Sequence, residues 1–428
     1  MDRRAFLMST AWLAVAPEPL LAPASPEAPT APGALDPAFL AWRQDFLARA
    51  AAAGLPDTLV RGALESLAPD PDVLARDARQ PEFSKPLGGY VAQTAGPDKV
   101  AEGQAQLERA APWLGPIAAG YGTGPEVLVA IWSVESAFGR LQGEDDVIRS
   151  MATLAAEGRR RAFAESELIG AFKILESGEV VREQLKGSWA GAMGQTQFTP
   201  LDYLAYAVDA DGDGRRDIWG SAPDALGSTA NFLTRKAKWI PGGSVQVEAI
   251  LPKGFDYALL ESGTRSPAGW AALGVAPAPG RYVRPADADE GAELIAPMGW
   301  RGPAFMTFPN HKAVKVYNNS TAYALGVGLL AAGIGGEGPL VQPWPEEPPT
   351  ALADRMLAQT ALMAQGFYAG PADGRFGAET RKAARLWQMR EGLPPDGYLS
   401  FDLVQRLKAQ APPAPAALPP IAGTPLSL

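Results

Sequence analysis

Between Val127 and Arg140 the chain reads VLVAIWSVESAFGR, and no Gly or Pro interrupts the run before Gly139. An apolar stretch of this density must be buried, and its period makes it a helix. It carries one carboxylate, Glu135, about one turn beyond Ile131 and Trp132, so the three share a face. Burying an ionised, unpaired carboxylate costs far more than keeping its proton, which makes Glu135 a candidate general acid near neutral pH. On this stretch alone the other reading stays open: a Glu that reaches solvent or pairs with a nearby Arg.

The 428 residues, 47% hydrophobic and 20% charged, suffice for two or three packed units. A net charge of -9 with no basic stripe argues against a nucleic-acid partner. There is no Cys, and His311 is the one His. Cysteine nucleophiles and Cys/His zinc sites are thereby excluded, and a Ser-His-Asp triad would have to use His311. Carboxylate chemistry remains.

The chain opens MDRRAFLMSTAWLAVA, with Arg3 and Arg4 ahead of an apolar run too short to span a bilayer. Residues 1–24 read as an export signal resembling the twin-arginine type, with Ala22-Pro23-Ala24 as a cleavage site. Without Cys there is no lipid anchor on a cysteine. A Pro/Ala-rich linker (25–35) leads to a helical pattern from Asp36 to about Leu67. A polar helix around Pro97 to Trp113 and another over 161–185 are expected. Thr123-Gly124-Pro125-Glu126 gives a capping-box pattern for the helix that carries Glu135.

After that helix, Glu144, Asp145 and Asp146 are the nearest other carboxylates and read as a solvated loop. In KGSWAGAMGQTQFTP, Gly187, Gly191 and Gly194 allow close backbone approach, while Ser188, Gln195 and Gln197 add short polar arms. Next, Asp209, Asp211 and Asp213 with Gly214 match the opening of a calcium loop. The twelfth position is Gly220 where a Glu is expected; Asp224 is placed to close an enlarged loop, with the Arg215 carbonyl and Asp217 or a water completing the shell. An acidic turn is the alternative. Residues 243 to about 317 read as a small β-rich insert, from runs such as Ser244–Glu248 and Ala313–Tyr317. A helix then begins near Tyr317, Asn318 and Tyr323. A Pro/Gly linker (335–349) precedes a small helical module (350–408), and residues 409–428 form a Pro/Ala-rich tail expected to be disordered.

Taken together, Ile131-Trp132-Ser133-Val134-Glu135-Ser136, KGSWAGAMGQTQF, the Asp209 loop and Tyr317-Asn318 resemble the lytic murein transglycosylases of the B type, glycoside hydrolase family 103, over roughly residues 36–333. The resemblance implies a mainly α (α+β) fold: a lysozyme-like helical core with a β-rich insert, in a catalytic domain spanning 36–334. It implies cleavage of the MurNAc–GlcNAc β-1,4 bond of peptidoglycan. Glu135 is then the sole catalytic carboxylate, with Tyr90, Ser188, Gln197, Tyr317, Asn318 and Tyr323 lining the glycan groove. Calcium would be held by Asp209, Asp211, Asp213, Arg215 (through its carbonyl) and Asp224, as a structural ion and with no organic cofactor. Phe232 stands where the family has a Tyr. The motifs Asp373-Gly374-Arg375-Phe376-Gly377, Trp387-Gln388 and Asp396-Gly397 are similar to the common peptidoglycan-binding domain, a three-helix unit.

The expected product carries a 1,6-anhydromuramic ring, formed with Glu135 as acid and then base. A muramidase that uses water with Asp145 or Asp146 as second carboxylate, and a non-catalytic wall-binding protein, are the alternatives. The expected setting is the periplasm, with a monomeric chain associated with the cell wall and peptidoglycan glycan strands as partner.

Overall fold

The computed structural model describes residues 36–78, 83–84 and 86–412. The expected export signal, the linker after it and the tail from residue 413 lie outside the described residues. The helices are α1 (Pro37–Ala52), α2 (Asp57–Leu64), α3 (Pro71–Ala78), α4 (Leu87–Ala95), α5 (Pro97–Tyr121), α6 (Pro125–Ser136), α7 (Val147–Glu157), α8 (Arg161–Ser177), α9 (Pro200–Tyr206) and α10 (Ala222–Arg235). They continue with α11 (Pro267–Ala271), α12 (Pro309–Tyr317), α13 (Thr321–Ile334), α14 (Leu352–Ala364), α15 (Ala378–Arg390) and α16 (Phe401–Lys408). The strands are β1 (Phe83–Ser84), β2 (Asp145–Asp146), β3 (Lys186–Gly187), β4 (Gln246–Ile250), β5 (Ala276–Pro277), β6 (Glu293–Ile295), β7 (Ala304–Thr307) and β8 (Thr350–Ala351). No helix among the described residues is long and apolar enough to cross a membrane.

The centre of the large helical unit is α6, with α5, α10 and α13 packed around it. Leu128, Val129, Ala130 and Ile131 are fully buried, as an apolar run with no polar stripe requires. Burying a Leu or Ile side chain is worth about 1.5–3 kcal/mol, so this helix has no alternative location. The expected capping box does not form: Gly124 is the N-cap, and the Thr123 hydroxyl is buried without a partner. Helix α5 runs on to Tyr121, beyond the expected end near Trp113, and carries Pro112 and Pro116 within it. Helix α8 stops at Ser177, short of residue 185, because Gly178 takes the left-handed conformation (φ 75°) that ends a helix.

The insert is a four-stranded antiparallel sheet in the order β5-β4-β7-β6, with Val247 and Leu294 both opposite Met306. Strand alternation divides β4 between two faces. Val247 and Ala249 join Trp270, Leu294 and Phe308 in the insert's own core. Gln246 and Glu248 point the other way: Gln246 donates to the Leu325 carbonyl of α13, and Glu248 meets the segment after α13. Residues 313–317, expected as a strand, belong instead to α12. Pro309 sits in its first turn, and the buried residues Asn310, His311, Ala313 and Val314 follow a helical period. Burial on one helix face outweighs the β-propensity of two valines here.

The C-terminal helices α14–α16 enclose their own core around Leu362, Trp387 and Leu407. Two Gln side chains organise its loops in the same manner. Gln359 bonds Asp373 and the Gly374 N–H, while Gln388 bonds Asp396 and the Gly397 N–H. This unit is docked on the rest of the chain. Arg385 forms a two-pronged ion pair with Glu261 of the insert (2.8 and 2.6 Å), and Asp396 accepts the Trp300 N–H (3.0 Å). The preceding segment is fastened too. Buried Glu248 accepts the Val341 and Gln342 N–H groups (3.0 and 2.9 Å), and Arg281 donates to the Gly338 and Pro339 carbonyls while lying 3.6 Å from Glu248. Strand β8 pairs antiparallel with β1, adding a main-chain link at the start of α14.

Removing Glu248 strips the Val341 and Gln342 N–H groups of their acceptor and takes one of two carboxylates from Arg281, which keeps Glu337 at 3.2 Å. Glu248→Ala should therefore destabilise the chain by about 3 kcal/mol in denaturant titration. A loss below about 0.5 kcal/mol would show that the fastening carries no energy.

Candidate active site

Glu135 lies in the last turn of α6, half-buried on a helix that is otherwise enclosed. Tyr323, buried in the first turn of α13, donates its hydroxyl to Glu135 Oε1 at 2.5 Å. Among the described residues no cation acts on the carboxyl, so the ion pair that the sequence left open does not form there. Burial pushes its pKa up to about 7, against a smaller lowering by the Tyr323 hydrogen bond. A helix C-terminus carries negative partial charge, which disfavours a carboxylate in the same sense.

The helix ends abruptly behind Glu135. Ala137 (φ 50°), Phe138 (φ 64°) and Gly139 (φ 80°) are all left-handed, and the first two lack the freedom of glycine. Each such residue costs about 1–3 kcal/mol and persists only where its surroundings hold it. Ser136 Oγ accepts the Gly139 N–H and donates to the Gln195 carbonyl, and the Phe138 N–H returns to the Trp132 carbonyl.

Around Glu135 the chain gathers tyrosines from three helices. Tyr90 of α4 reaches α13 at Gly326, where a Cβ would sit 3.2 Å from its ring. Its phenol is raised by burial and further by the Glu135 charge. Tyr317, the last residue of α12, donates to the Thr196 carbonyl at 2.5 Å. The phenols of Tyr317 and Tyr323 are both held well above the ordinary value, first by burial and then by Glu135. Asn318 follows, with its side-chain oxygen buried and unpartnered. The N-cap of α13 is Ser320, whose hydroxyl accepts the Tyr323 N–H and fixes the tyrosine at the helix start. Phe232 packs against Phe198, Tyr206 and Tyr317, completing an apolar wall behind the Tyr317 ring.

Two expected groove residues are committed elsewhere. Ser188 Oγ accepts the Ala192 N–H (3.1 Å) within its own turn, leaving its proton and one lone pair to offer, and no bond joins it to Glu135. Gln197 is left-handed (φ 56°) and donates both amide protons to main chain, at Gln142 and Gly194. The glycines of this run approach protein: a Cβ on Gly187 would lie 2.2 Å from the Ala192 carbonyl oxygen. The residues that the sequence did not single out are Gln142 and Thr196, both joined to the site through main-chain carbonyls, while Gln195, expected as a polar arm, accepts the Trp132 indole N–H.

The expected solvated loop is ordered. Strand β2 pairs with β3, placing Asp145 opposite Gly187 and Asp146 opposite Lys186. Asp145 is paired with Arg76 and Asp146 with Arg182, and Asp146 also caps α7. His311 is buried with Nδ1 unpartnered, and burial with nearby Lys315 and Lys312 pushes it down to about 3. It is neutral and no part of a triad.

Between α9 and α10, carboxylate oxygens of Asp209, Asp211, Asp213 and Asp224 lie within 4.8 Å of one another. Glycines 212 and 214 take φ of 80° and 89°, folding the loop so that Asp209 accepts both of their N–H groups (2.6 and 2.8 Å). Asp224, fully buried, accepts from Ala210, Asp211 and Asp217 main chain. Arg215 joins through its N–H, donated to Asp213. Asp217 turns to its own loop, accepting the Trp219 and Gly220 N–H groups, and stands apart. Hard oxygen donors converging without a Lys or Arg partner among the described residues fit a divalent cation of the calcium type.

Residues 38–332 match the family described as the transglycosylase SLT domain. The chain belongs to this family. Residues 352–407 match the peptidoglycan binding domain family. Among solved structures, SltB3 from Pseudomonas aeruginosa in complex with NAG-anhNAM-pentapeptide is 44% identical, with a TM-score of 0.82, covering 87% of this chain and all (100%) of that one. The Escherichia coli lytic transglycosylase Slt35 in complex with calcium is 28% identical, with a TM-score of 0.59, covering 69% of this chain and 92% of that one. The membrane-bound lytic murein transglycosylase B of Escherichia coli K12 is 34% identical over 223 residues, which span 50% of this chain and 58% of the relative. The mainly helical fold with small sheets and a helical C-terminal unit accords with these matches.

Because the Glu135 pKa is raised from an ordinary 4.5 to about 7, folding favours its protonated form. That stability is complete below the unfolded pKa and lost as pH rises through the folded one. Glu135→Gln, neutral at every pH, should therefore be more stable than the parent by about 3 kcal/mol at pH 8, with the gap closing toward pH 4. Thermal melts across pH check this; a gap independent of pH would contradict the raised pKa.

Proposed function

We propose that the chain is a lytic transglycosylase that cleaves the MurNAc–GlcNAc β-1,4 bond of peptidoglycan and leaves a 1,6-anhydromuramic end. The observation that carries this reading is Glu135 itself: a half-buried carboxyl whose hydrogen-bond partner among the described residues is Tyr323, and whose pKa burial pushes up to about 7. In the first step Glu135 gives its proton to the glycosidic oxygen as the C1–O bond breaks. The carbonyl oxygen of the substrate's own N-acetyl group bonds to C1 and takes up the developing charge, the substrate-assisted variant of glycoside cleavage. Glu135, now a carboxylate, takes the proton from the C6 hydroxyl, whose oxygen attacks C1 and expels the acetamido oxygen. The carboxyl is regenerated and no water is consumed.

Each residue of the site has a part in this reading. Tyr323 steadies Glu135 in both charge states, since its hydroxyl donates to either. Tyr90, Tyr317 and Asn318 supply the hydroxyl and amide groups of the glycan groove in this reading. Ser188 and Gln197 contribute one donor and one acceptor respectively. The SltB3 complex with NAG-anhNAM-pentapeptide supports the product. The water-using muramidase loses support because Asp145 and Asp146, its candidate second carboxylates, are each ion-paired.

The same reading places the protein in the periplasm as a monomer at the cell wall, with the C-terminal unit holding peptidoglycan. Calcium bound by Asp209, Asp211, Asp213, Asp224 and the Arg215 carbonyl would join the start of α10 to the loop before it. Its contribution is to the fold.

Three measurements test this. Mass spectrometry of a murein digest should find anhydromuramic ends, and Glu135→Gln should lower their formation about 10³-fold. The parent's rate should fall as pH rises through about 7, where the acid loses its proton. Reducing-end muramic acid would refute the mechanism. For the metal, chelator-stripped protein should melt several degrees higher in millimolar calcium, by mass action on the folded state, and Asp224→Asn should abolish the shift. No shift in the parent would remove calcium from the account.

A further inference from the structure

We propose that Gln142 is a positioning residue for Glu135, acting through the left-handed turn that ends α6. The proposal deepens the reading of Glu135 as the proton donor and rests on it. Glu135 is the penultimate residue of α6, and it keeps that place only because Ala137, Phe138 and Gly139 leave the helical conformation together. Were they to relax to negative φ, α6 would extend and Glu135 would move from the helix end into its interior.

The inner half of the turn is tied by main chain and by Ser136. The outer half is held by the Leu141 N–H, which returns to the Ser136 carbonyl (2.9 Å), and by Gln142. Its Nε2 donates to the Gly139 carbonyl (2.9 Å) and the Trp219 carbonyl (3.1 Å). One amide thus joins the last residue of the turn to the segment that follows the aspartate loop. The Gln142 carbonyl in turn accepts from Gln197 Nε2 (2.9 Å). Gln195 closes the belt: its Nε2 also donates to the Trp219 carbonyl (3.1 Å), and its Oε1 accepts the Trp132 indole N–H (2.9 Å), one turn before Glu135. Three glutamines therefore encircle the C-terminus of the helix, and Gln142 is the member that grips the turn itself. Gln197 is recast by the same geometry. With both amide protons on main chain it supports this belt and faces a glycan only through Oε1.

The experiment uses the full chain and two variants: Gln142→Met, similar in length without donors, and Gln142→Lys, which keeps one. With a soluble muropeptide oligomer as substrate, Gln142→Met should lose about tenfold in kcat with KM within about twofold, and Gln142→Lys should recover part of the loss. The alkaline limb of the kcat–pH profile should move to lower pH in Gln142→Met, as a loosened turn admits water to the carboxyl. The Glu135 carboxyl titration, followed by ¹³C NMR, should move the same way. An unchanged kcat, pH limb and titration in folded Gln142→Met would overturn the proposal, as would equal losses in both variants with the titration unmoved, the sign of a merely structural role. If Gln142→Met does not fold, the same comparison on Gln142→Lys decides. Absence of anhydro product from the parent would refute the proposed function, and the NMR titration would then still decide whether Gln142 sets the state of Glu135.

Discussion

The hydrogen bond from Tyr323 to Glu135 joins the end of α6 to the start of α13, and most of the architecture serves to make that meeting possible. A carboxyl on a mostly apolar helix is tolerated because it keeps its proton and finds one hydroxyl. That hydroxyl arrives only because Ser320 caps α13 and sets the phase of its first turn. Glycines along α13 let neighbours close in: a Cβ on Gly326 would meet Tyr90 and Thr94, one on Gly328 would meet Gln246, and one on Gly333 would meet Val100. The helix is thereby fixed from both the helical core and the insert.

The insert reaches the chemistry indirectly. Strand β4 sends Gln246 to α13 and Glu248 to the segment beyond it, so one strand braces the tyrosine helix and the C-terminal unit at once. Helix α12, which closes the insert, delivers Tyr317 and Asn318 to the site. The opposite wall is built by the run around Gly187 to Pro200, whose small residues allow tight self-packing and whose polar arms mostly bond to main chain.

Much of this was legible in the residues. The run VLVAIWSVES announces a buried helix with an ill-placed carboxylate, and the alternating aspartates announce converging oxygens, because both signals are local. What escaped depends on tertiary partners. Ala313–Tyr317 reads as a strand until the buried faces of Asn310, His311 and Val314 are known. The capping box at Thr123 fails because the chain enters α6 one residue later. Asp145 and Asp146 look like free loop carboxylates until Arg76 and Arg182, distant in sequence, arrive beside them. Ser188 and Gln197 read as ligand arms because nothing in their own segment reveals that main-chain groups take their hydrogen bonds.

The fastened segment before α14 bears on how two binding surfaces in one chain cooperate. A flexible tether would let the C-terminal unit search a sphere, raising the local concentration of polymer at the cleft whatever its shape. Here Glu248, Arg281 and Glu261 hold the unit in one place. Its contribution to avidity is then all or nothing: full for polymer whose contact points match the fixed separation, and lost for the rest. On the proposed function, such a chain would act as a gauge, testing the wall for a spacing as well as for a bond.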